Sequence, residues 1–134
     1  MIPGAEFYKT CQQWATEGFL CIMSAEGAGE FGIDSLDPAA ENFARRGLAM
    51  WRTLYSFENA NPRSPFFNRV CRRACVTGYS MGGGAAQNLA YLASEEDNIV
   101  CQAPIHAGIT TPRKVNFIDI PTMIGSSVDD TVTP

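Results

Sequence analysis

Two kinds of apolar pattern alternate along this chain, one with helical spacing and one in short continuous blocks. The helical spacing runs from about Glu6 to Glu17, where Gly18 supplies a stop. It returns at Asp37-Pro38, a helix start with an N-cap aspartate, and continues to about residue 57. For this second helix the spacing predicts one buried face made of Phe43, Gly47, Met50, Leu54 and Phe57.

The continuous apolar blocks are too short for helices and predict buried strands of a parallel sheet. They are Phe19–Met23, Ala74–Thr77, Ile99–Pro104 and Thr122–Gly125. A third helix is predicted over Ala85–Ala93, and loops are predicted over Ser24–Leu36 and Asn59–Asn68. Strands that alternate with helices indicate an α/β fold.

The block Ala74–Thr77 leads directly into the sequence Gly78-Tyr79-Ser80-Met81-Gly82, a G-x-S-x-G motif with a helix-forming stretch after it. A serine on such a sharp turn takes a strained backbone conformation, and we expect side chains at positions 78 and 82 to collide with the neighbouring strand and helix. The turn lifts the Ser80 hydroxyl above the sheet edge and places the Met81 N–H at the positive end of the helix, where it can hold an oxyanion.

Two other interpretations of this glycine-rich turn agree less well with the sequence. A turn without chemistry is disfavoured because the strand, the extra glycines and the helix are all present. A phosphate-binding loop fits less well, since the segment has neither the Lys-Ser/Thr pair of a Walker loop nor the G-x-G-x-x-G spacing.

The segment Gly78–Gly84 resembles the nucleophile elbow of the cutinase-like polyester hydrolases, which include the PET hydrolases, and of the dienelactone-hydrolase-like proteins. Three further segments resemble that family in order: Pro3-Gly4-Ala5 its oxyanion loop, Gln102-Ala103-Pro104 a strand end at its substrate cleft, and residues 120–134 the strand and loop of its catalytic acid. The resemblance implies an α/β-hydrolase fold, with a mostly parallel sheet and flanking helices.

The resemblance also implies residue roles. Ser80 corresponds to the nucleophile and Asp130 to the catalytic acid, with Asp129 as the alternative acid. The backbone N–H groups of Met81 and Ala5 correspond to the oxyanion hole. Gly78 and Gly82 correspond to the elbow glycines, and Ile105 and His106 border the cleft. Many relatives carry aromatic residues in place of Ala5 and Ile105, so the implied cleft is less aromatic.

The chain's only histidine, His106, comes before Asp130, whereas this fold places the catalytic histidine after the acid. We therefore expect residues 1–134 to form a single partial domain, cut at both ends, that runs from the oxyanion loop to the acid loop. The catalytic histidine is then expected outside the chain, and the chain alone is expected to be inactive. His106 itself is kept as an alternative base.

Composition narrows the classes of partner. With 10 Lys and Arg against 14 Asp and Glu, the net charge of -4 argues against nucleic-acid binding. No apolar run approaches the ~20 residues that span a bilayer. The first residues have no basic or apolar signal-peptide region, so localisation stays open, with a secreted parent protein among the alternatives.

The five cysteines are an odd number, so at least one has no partner within the chain. No CxxC pair indicates zinc, and we expect neither a metal nor a cofactor. Cys21, Cys75 and Cys101 lie in apolar blocks, where an unpaired cysteine acts as a small buried apolar residue, and we expect them to be reduced. The redox compartment stays open.

These observations favour a serine carboxylic ester hydrolase that forms an acyl-enzyme on Ser80 and acts on a small ester or a polyester. The alternatives are a non-catalytic binding or interaction domain of α/β-hydrolase type, and an inactive fragment.

Overall fold

Helices and two parallel strands alternate along residues 4–23, 36–108 and 112–129, the parts that the computed structural model describes. The helices are α1 (Gly4–Thr16), α2 (Leu36–Arg52), α3 (Met81–Leu92) and α4 (Pro112–Val115), and the strands are β1 (Ala74–Tyr79) and β2 (Ile99–Ile105). A π-helical turn, Thr53–Glu58, extends α2, and a 3-10 turn, Glu95–Asp97, precedes β2. The α/β class predicted from the sequence is confirmed. In the ranges described, no helix is both long and apolar enough to cross a membrane.

The predicted stop at Gly18 is confirmed at the end of α1. Gly18 has φ 88°, a left-handed conformation that glycine adopts without steric cost. Its N–H donates to Ala15 O at 3.1 Å, and the Phe19 N–H donates to Trp14 O at 3.0 Å. These two bonds form a Schellman motif, which satisfies carbonyl groups in the last turn of the helix.

The strand predicted over Phe19–Met23 is wrong. The segment has no regular secondary structure, and Phe19 is 67% exposed. A strand exists only where a neighbour completes its ladder of hydrogen bonds. In the described part of the chain the sheet consists of β1 and β2, and neither pairs with this segment.

The strands β1 and β2 run parallel, with Cys75 opposite Cys101 and Tyr79 opposite Ile105. Their carboxyl ends therefore lie side by side at one edge of the sheet. A register shift between Ala74 and Cys75 interrupts the pairing at its start.

The predicted strand Thr122–Gly125 is present only in part. It forms isolated parallel bridges, Gln102 with Thr122 and Ile105 with Gly125, rather than a continuous ladder. The Met123 N–H donates to Gln102 O at 3.0 Å, and the His106 N–H donates to Gly125 O at 2.7 Å. The segment therefore lies beside β2, on the side away from β1.

The predicted extent of α2 is confirmed, and its predicted buried face is confirmed in part. Leu54 is buried, whereas Met50 is 37% exposed and Phe57 is 65% exposed. The other buried residues of this helix are Ala39, Ala40, Ala44, Leu48 and Trp51. The helix α3 packs closely on this face: a Cβ on Gly47 would lie 3.1 Å from Leu89 Cδ1.

Two disulfides contradict the expectation of reduced core cysteines. Cys11 is bonded to Cys21, with their Cα atoms 5.5 Å apart, and Cys75 to Cys101, with their Cα atoms 4.7 Å apart. Cys71 is free and exposed. The second disulfide joins positions that face each other across β1 and β2, a proximity that apolar blocks far apart in the chain do not reveal.

An ion pair ties α2 to the turn before β2. The buried Asp97 carboxylate accepts hydrogen bonds from Arg52 Nε at 2.6 Å and Nη2 at 2.7 Å, and from the Ser94 N–H at 2.8 Å. The Trp51 indole N–H donates to the Asp97 carbonyl at 2.7 Å. The Arg52 bonds, with help from Ser94, lower the pKa of Asp97 to about 2.

Candidate functional site

Ser80 lies between the last residue of β1 and the first residue of α3, as the motif predicts. Its φ of 55° and ψ of -119° match the first central position of a type II′ turn, a conformation dominated by glycine. A residue with a side chain held there costs on the order of 1–3 kcal/mol. The predicted backbone strain at Ser80 is therefore confirmed.

Three backbone hydrogen bonds hold Ser80 in this conformation. Its N–H donates to Ile105 O at 3.0 Å. Its carbonyl accepts from the Gly84 N–H at 3.1 Å and from the Gly108 N–H at 2.7 Å. The turn is thus fixed from β2, from its own helix and from the segment after β2.

The two glycines of the motif differ in the space available for a side chain. A Cβ on Gly78 would lie 2.1 Å from Gly82 O, so only glycine fits there. A Cβ on Gly82 would meet no atom of the described structure within 4 Å. The collision predicted for position 78 is confirmed, and the one predicted for position 82 is wrong, because Gly82 contributes its backbone to the close approach.

The extra glycines bring the segment after β2 against α3. A Cβ on Gly83 would lie 2.7 Å from Ala107 Cα, and one on Gly84 would lie 2.9 Å from Gly108 O. Both glycines are buried. Residues 106–108 therefore lie directly against the first turn of α3, beside Ser80.

The two predicted oxyanion donors differ in what surrounds them. Met81 is the first residue of α3, so its N–H has no acceptor inside the helix and lies at the positive end of the helix dipole. Ala5 was predicted in a loop with Pro3 and Gly4. Pro3 lies outside the described residues, and Gly4 and Ala5 instead open α1. The role of Ala5 as a donor stays a prediction.

The residues predicted to border the cleft follow the same sheet edge as Ser80. Ile105 ends β2 and is 39% exposed. His106 has φ 44°, and its ring lies edge-on to that of Tyr79, with the ring centroids 5.5 Å apart. The structure thus brings Ile105 and His106 next to the Ser80 turn.

The predicted acid, Asp130, lies outside the described residues. The alternative acid, Asp129, is exposed in a turn after the Thr122–Gly125 segment, and its N–H bonds Ser127 Oγ at 3.4 Å. The Gly125 end of that segment lies beside Ile105 and His106. The described residues thus end at the predicted acid loop.

No family model and no curated protein matches this chain.

The sequence did not predict a partly buried polar cluster of Glu41, Asn88 and Lys114. Lys114 Nζ donates to Glu41 Oε2 at 2.9 Å and to Asn88 Oδ1 at 2.8 Å. Asn88 is fully buried, and its Nδ2 donates to Gly84 O at 2.9 Å. The hydrogen bond from Lys114, followed by that from Arg45, lowers the pKa of Glu41. An asparagine at a helix position between the apolar residues Ala85 and Leu92 was the signal available in the sequence.

Proposed function

We propose that this chain carries the nucleophile of a serine carboxylic ester hydrolase of the α/β-hydrolase type, with Ser80 as the nucleophile. The observation that carries the proposal is the conformation of Ser80, with φ 55° and ψ -119°, on a strand-to-helix turn that only glycine at position 78 permits. Strained residues of this kind cluster at functional sites. In the G-x-S-x-G motif such a strained turn exposes the serine hydroxyl as a nucleophile.

The first half of the reaction forms an acyl-enzyme. Ser80 Oγ attacks the ester carbonyl carbon, and its proton passes to a base as the new C–O bond forms. The carbonyl oxygen becomes an oxyanion, which the Met81 N–H stabilises at the start of α3. The tetrahedral intermediate then collapses, the ester C–O bond breaks, and the alcohol leaves with a proton from the same base.

The second half returns the free enzyme. Water attacks the acyl carbon, gives a proton to the base and releases the carboxylic acid from Ser80. We assign Asp130 as the acid that orients the base. The base is a histidine that we place outside these 134 residues, because the sole histidine, His106, precedes the acid.

The side chains exposed beside Ser80, at the carboxyl ends of the strands, support the proposed substrate class. Tyr79 is 52% exposed and Ile105 is 39% exposed, so the surface beside the nucleophile is apolar with one aromatic ring. Such a surface suits the acyl or alcohol part of a small ester, or one repeat of a polyester chain.

The test is covalent labelling of Ser80 with a fluorophosphonate, with and without added imidazole as a substitute base. Peptide mass spectrometry locates the adduct, so background ester hydrolysis by imidazole does not interfere. We expect slow labelling of Ser80 alone and a rate that rises with imidazole concentration. Ser80→Ala should abolish the adduct, and Ser56→Ala, which removes an exposed hydroxyl, should not.

His106→Ala decides the identity of the base. With the histidine outside the chain, the variant should label at the same imidazole-free rate as the parent. A loss of labelling in this variant would make His106 the base. A folded chain with no Ser80 adduct at any imidazole concentration would overturn the proposed function.

That last outcome would favour the second candidate, a non-catalytic binding or interaction domain. The observation in its favour is the apolar surface at the same edge, where Tyr79 and Met123 are 52% and 72% exposed. A binding domain would retain this surface without needing a reactive serine.

A further inference from the structure

We propose that Asn88, Lys114 and Glu41 position the Ser80 turn, because their hydrogen bonds hold Gly84 in the first turn of α3. The inference rests on the proposed function only where Ser80 reactivity is measured. Asn88 lies on α3, two turns after Ser80, and its amide accepts a hydrogen bond from Lys114 of α4. The same Lys114 ammonium donates to Glu41 of α2, so Lys114 connects the three helices.

The amide of Asn88 connects this cluster to the turn through Gly84. Its Oδ1 accepts from Lys114 Nζ at 2.8 Å, which directs its Nδ2 towards Gly84 O at 2.9 Å. On the other side of the same residue, the Gly84 N–H donates to Ser80 O at 3.1 Å. Gly84 therefore lies between the polar cluster and the strained serine.

The same residue also fixes the segment that follows β2. Gly108 O packs so closely on Gly84 that a Cβ there would lie 2.9 Å away, and the Gly108 N–H donates to Ser80 O at 2.7 Å. A displacement of Gly84 thus affects both donors to the Ser80 carbonyl. Those two donors hold the Ser80 backbone in its strained conformation, and the backbone fixes the direction of the Cα–Cβ bond that carries the hydroxyl.

Core packing alone does not account for the polar cluster. Asn88 has no exposed surface, and the other buried residues of its helix are glycine, alanine and leucine. A buried amide is costly unless it is fully bonded, and an apolar residue of the same size would fill the space. Lys114, whose side chain is 17% exposed, is likewise held well inside the surface. Hydrogen bonds have a preferred direction, unlike apolar contacts, so this cluster suits a role in positioning the backbone of α3.

The experiment measures amide hydrogen exchange at Gly84 and Gly108 in the full chain, together with the fluorophosphonate labelling rate of Ser80. Lys114→Met removes the donor to Asn88. We expect exchange at both amides to become at least about tenfold faster, because local opening no longer breaks the cluster. The Gln102 amide, which donates to Pro121 O at 3.0 Å, serves as the reference.

Asn88→Asp isolates the bond to Gly84. An aspartate still accepts from Lys114 but has no proton to donate to Gly84 O. Its effect on the Gly84 and Gly108 amides should therefore match that of Lys114→Met. Parent-like exchange in the aspartate variant would overturn the proposal.

Arg45→Met is the matched control, because Arg45 also pairs with Glu41, at 2.6 Å, but from an exposed position with a side chain 62% accessible. It should leave exchange and labelling within about twofold of the parent. Lys114→Arg, which restores a cationic donor, should recover most of the labelling rate lost in Lys114→Met.

A purely structural cluster gives a different result. Lys114→Met would then speed exchange equally at Gly84, Gly108 and the reference Gln102, and labelling per folded molecule would not change; that result overturns the proposal. If the parent itself fails to label, the proposed function fails, while selective exchange at Gly84 and Gly108 still supports the positioning role.

Discussion

At the scale of single residues, Ser80 is strained and its neighbours hold it in place. Its φ and ψ suit glycine, and hydrogen bonds to Ile105, Gly84 and Gly108 maintain them. For the nucleophile role proposed for Ser80, this rigidity means that little reorganisation is needed before reaction, which is the advantage of a preorganised site. The conformation is also the part of the site that the sequence predicted best, because the motif itself encodes it.

The motif glycines give a paired prediction. Gly78→Ala places a Cβ 2.1 Å from Gly82 O, a clash between backbone-bound atoms that only a shift of the turn relieves. We expect the free energy of unfolding to fall by at least about 3 kcal/mol, with loss of Ser80 labelling.

Gly82→Ala is the control, since its Cβ meets no atom of the described residues within 4 Å and the position is helical. It should be neutral or should raise the free energy of unfolding by up to about 1 kcal/mol. Urea denaturation of both variants measures the difference. Equal destabilisation by both would contradict the account of the turn.

At the scale of elements, the ion pair between Arg52 and Asp97 joins α2 to the turn before β2 and makes stability depend on pH. The pKa of Asp97 falls from 3.8 to about 2 in the folded chain. Because the folded pKa is the lower one, this contribution is present above about pH 4 and is lost as the pH falls towards 2. It amounts to about 2 kcal/mol.

Asp97→Asn should therefore lower the free energy of unfolding by about 2 kcal/mol at pH 7 and by much less at pH 2. Urea unfolding at a series of pH values measures both quantities. The control is Glu95→Gln, which changes an exposed carboxylate of the same turn and should have little effect at either pH. A pH-independent loss in Asp97→Asn would assign the effect to packing.

Local patterns predicted α1, α2, α3, β1 and β2, because helical spacing and short apolar blocks are properties of neighbouring residues. They failed where the outcome depends on distant partners. Phe19–Met23 has the composition of a strand, but pairing decides, and it pairs with neither strand. On α2 the spacing placed Met50 on the buried face, whereas packing against the rest of the chain buries Ala44, Leu48 and Trp51.

In the candidate site, too, the sequence predicted what a local motif encodes and did not predict contacts between distant elements. Ser80 and Met81 follow from a local motif, and their positions agree with it. The cluster around Asn88 joins three helices, and no spacing along the chain encodes that contact.

At the scale of the whole molecule, one face of the sheet is exposed among the residues that the structure describes. Cys75, Thr77 and Tyr79 alternate along β1 as exposed residues, on the face opposite their half-buried neighbours. By register Ile105 lies beside Tyr79, and Met123, next to the Gln102–Thr122 bridge, continues this open face. Parallel sheets are normally covered on both faces, so an uncovered face favours association.

We expect the chain to self-associate through this open face at micromolar concentrations. Met123→Lys places a charge on the open face and should lower the mean mass measured by light scattering. Phe117→Lys changes a similarly exposed apolar residue that follows α4 and belongs to neither strand, and should not. A monomer at all concentrations, or an equal response to both variants, would contradict this assignment.

Because of the disulfide between Cys75 and Cys101, the number of free thiols reports on the register of β1 and β2. The two cysteines face each other only in the observed register, and a slip by one residue would turn one of them to the other face of the sheet. A correctly aligned chain leaves Cys71 as the free thiol. Under non-reducing conditions, a thiol-reactive dye should therefore label one cysteine per chain when β1 and β2 are aligned as observed.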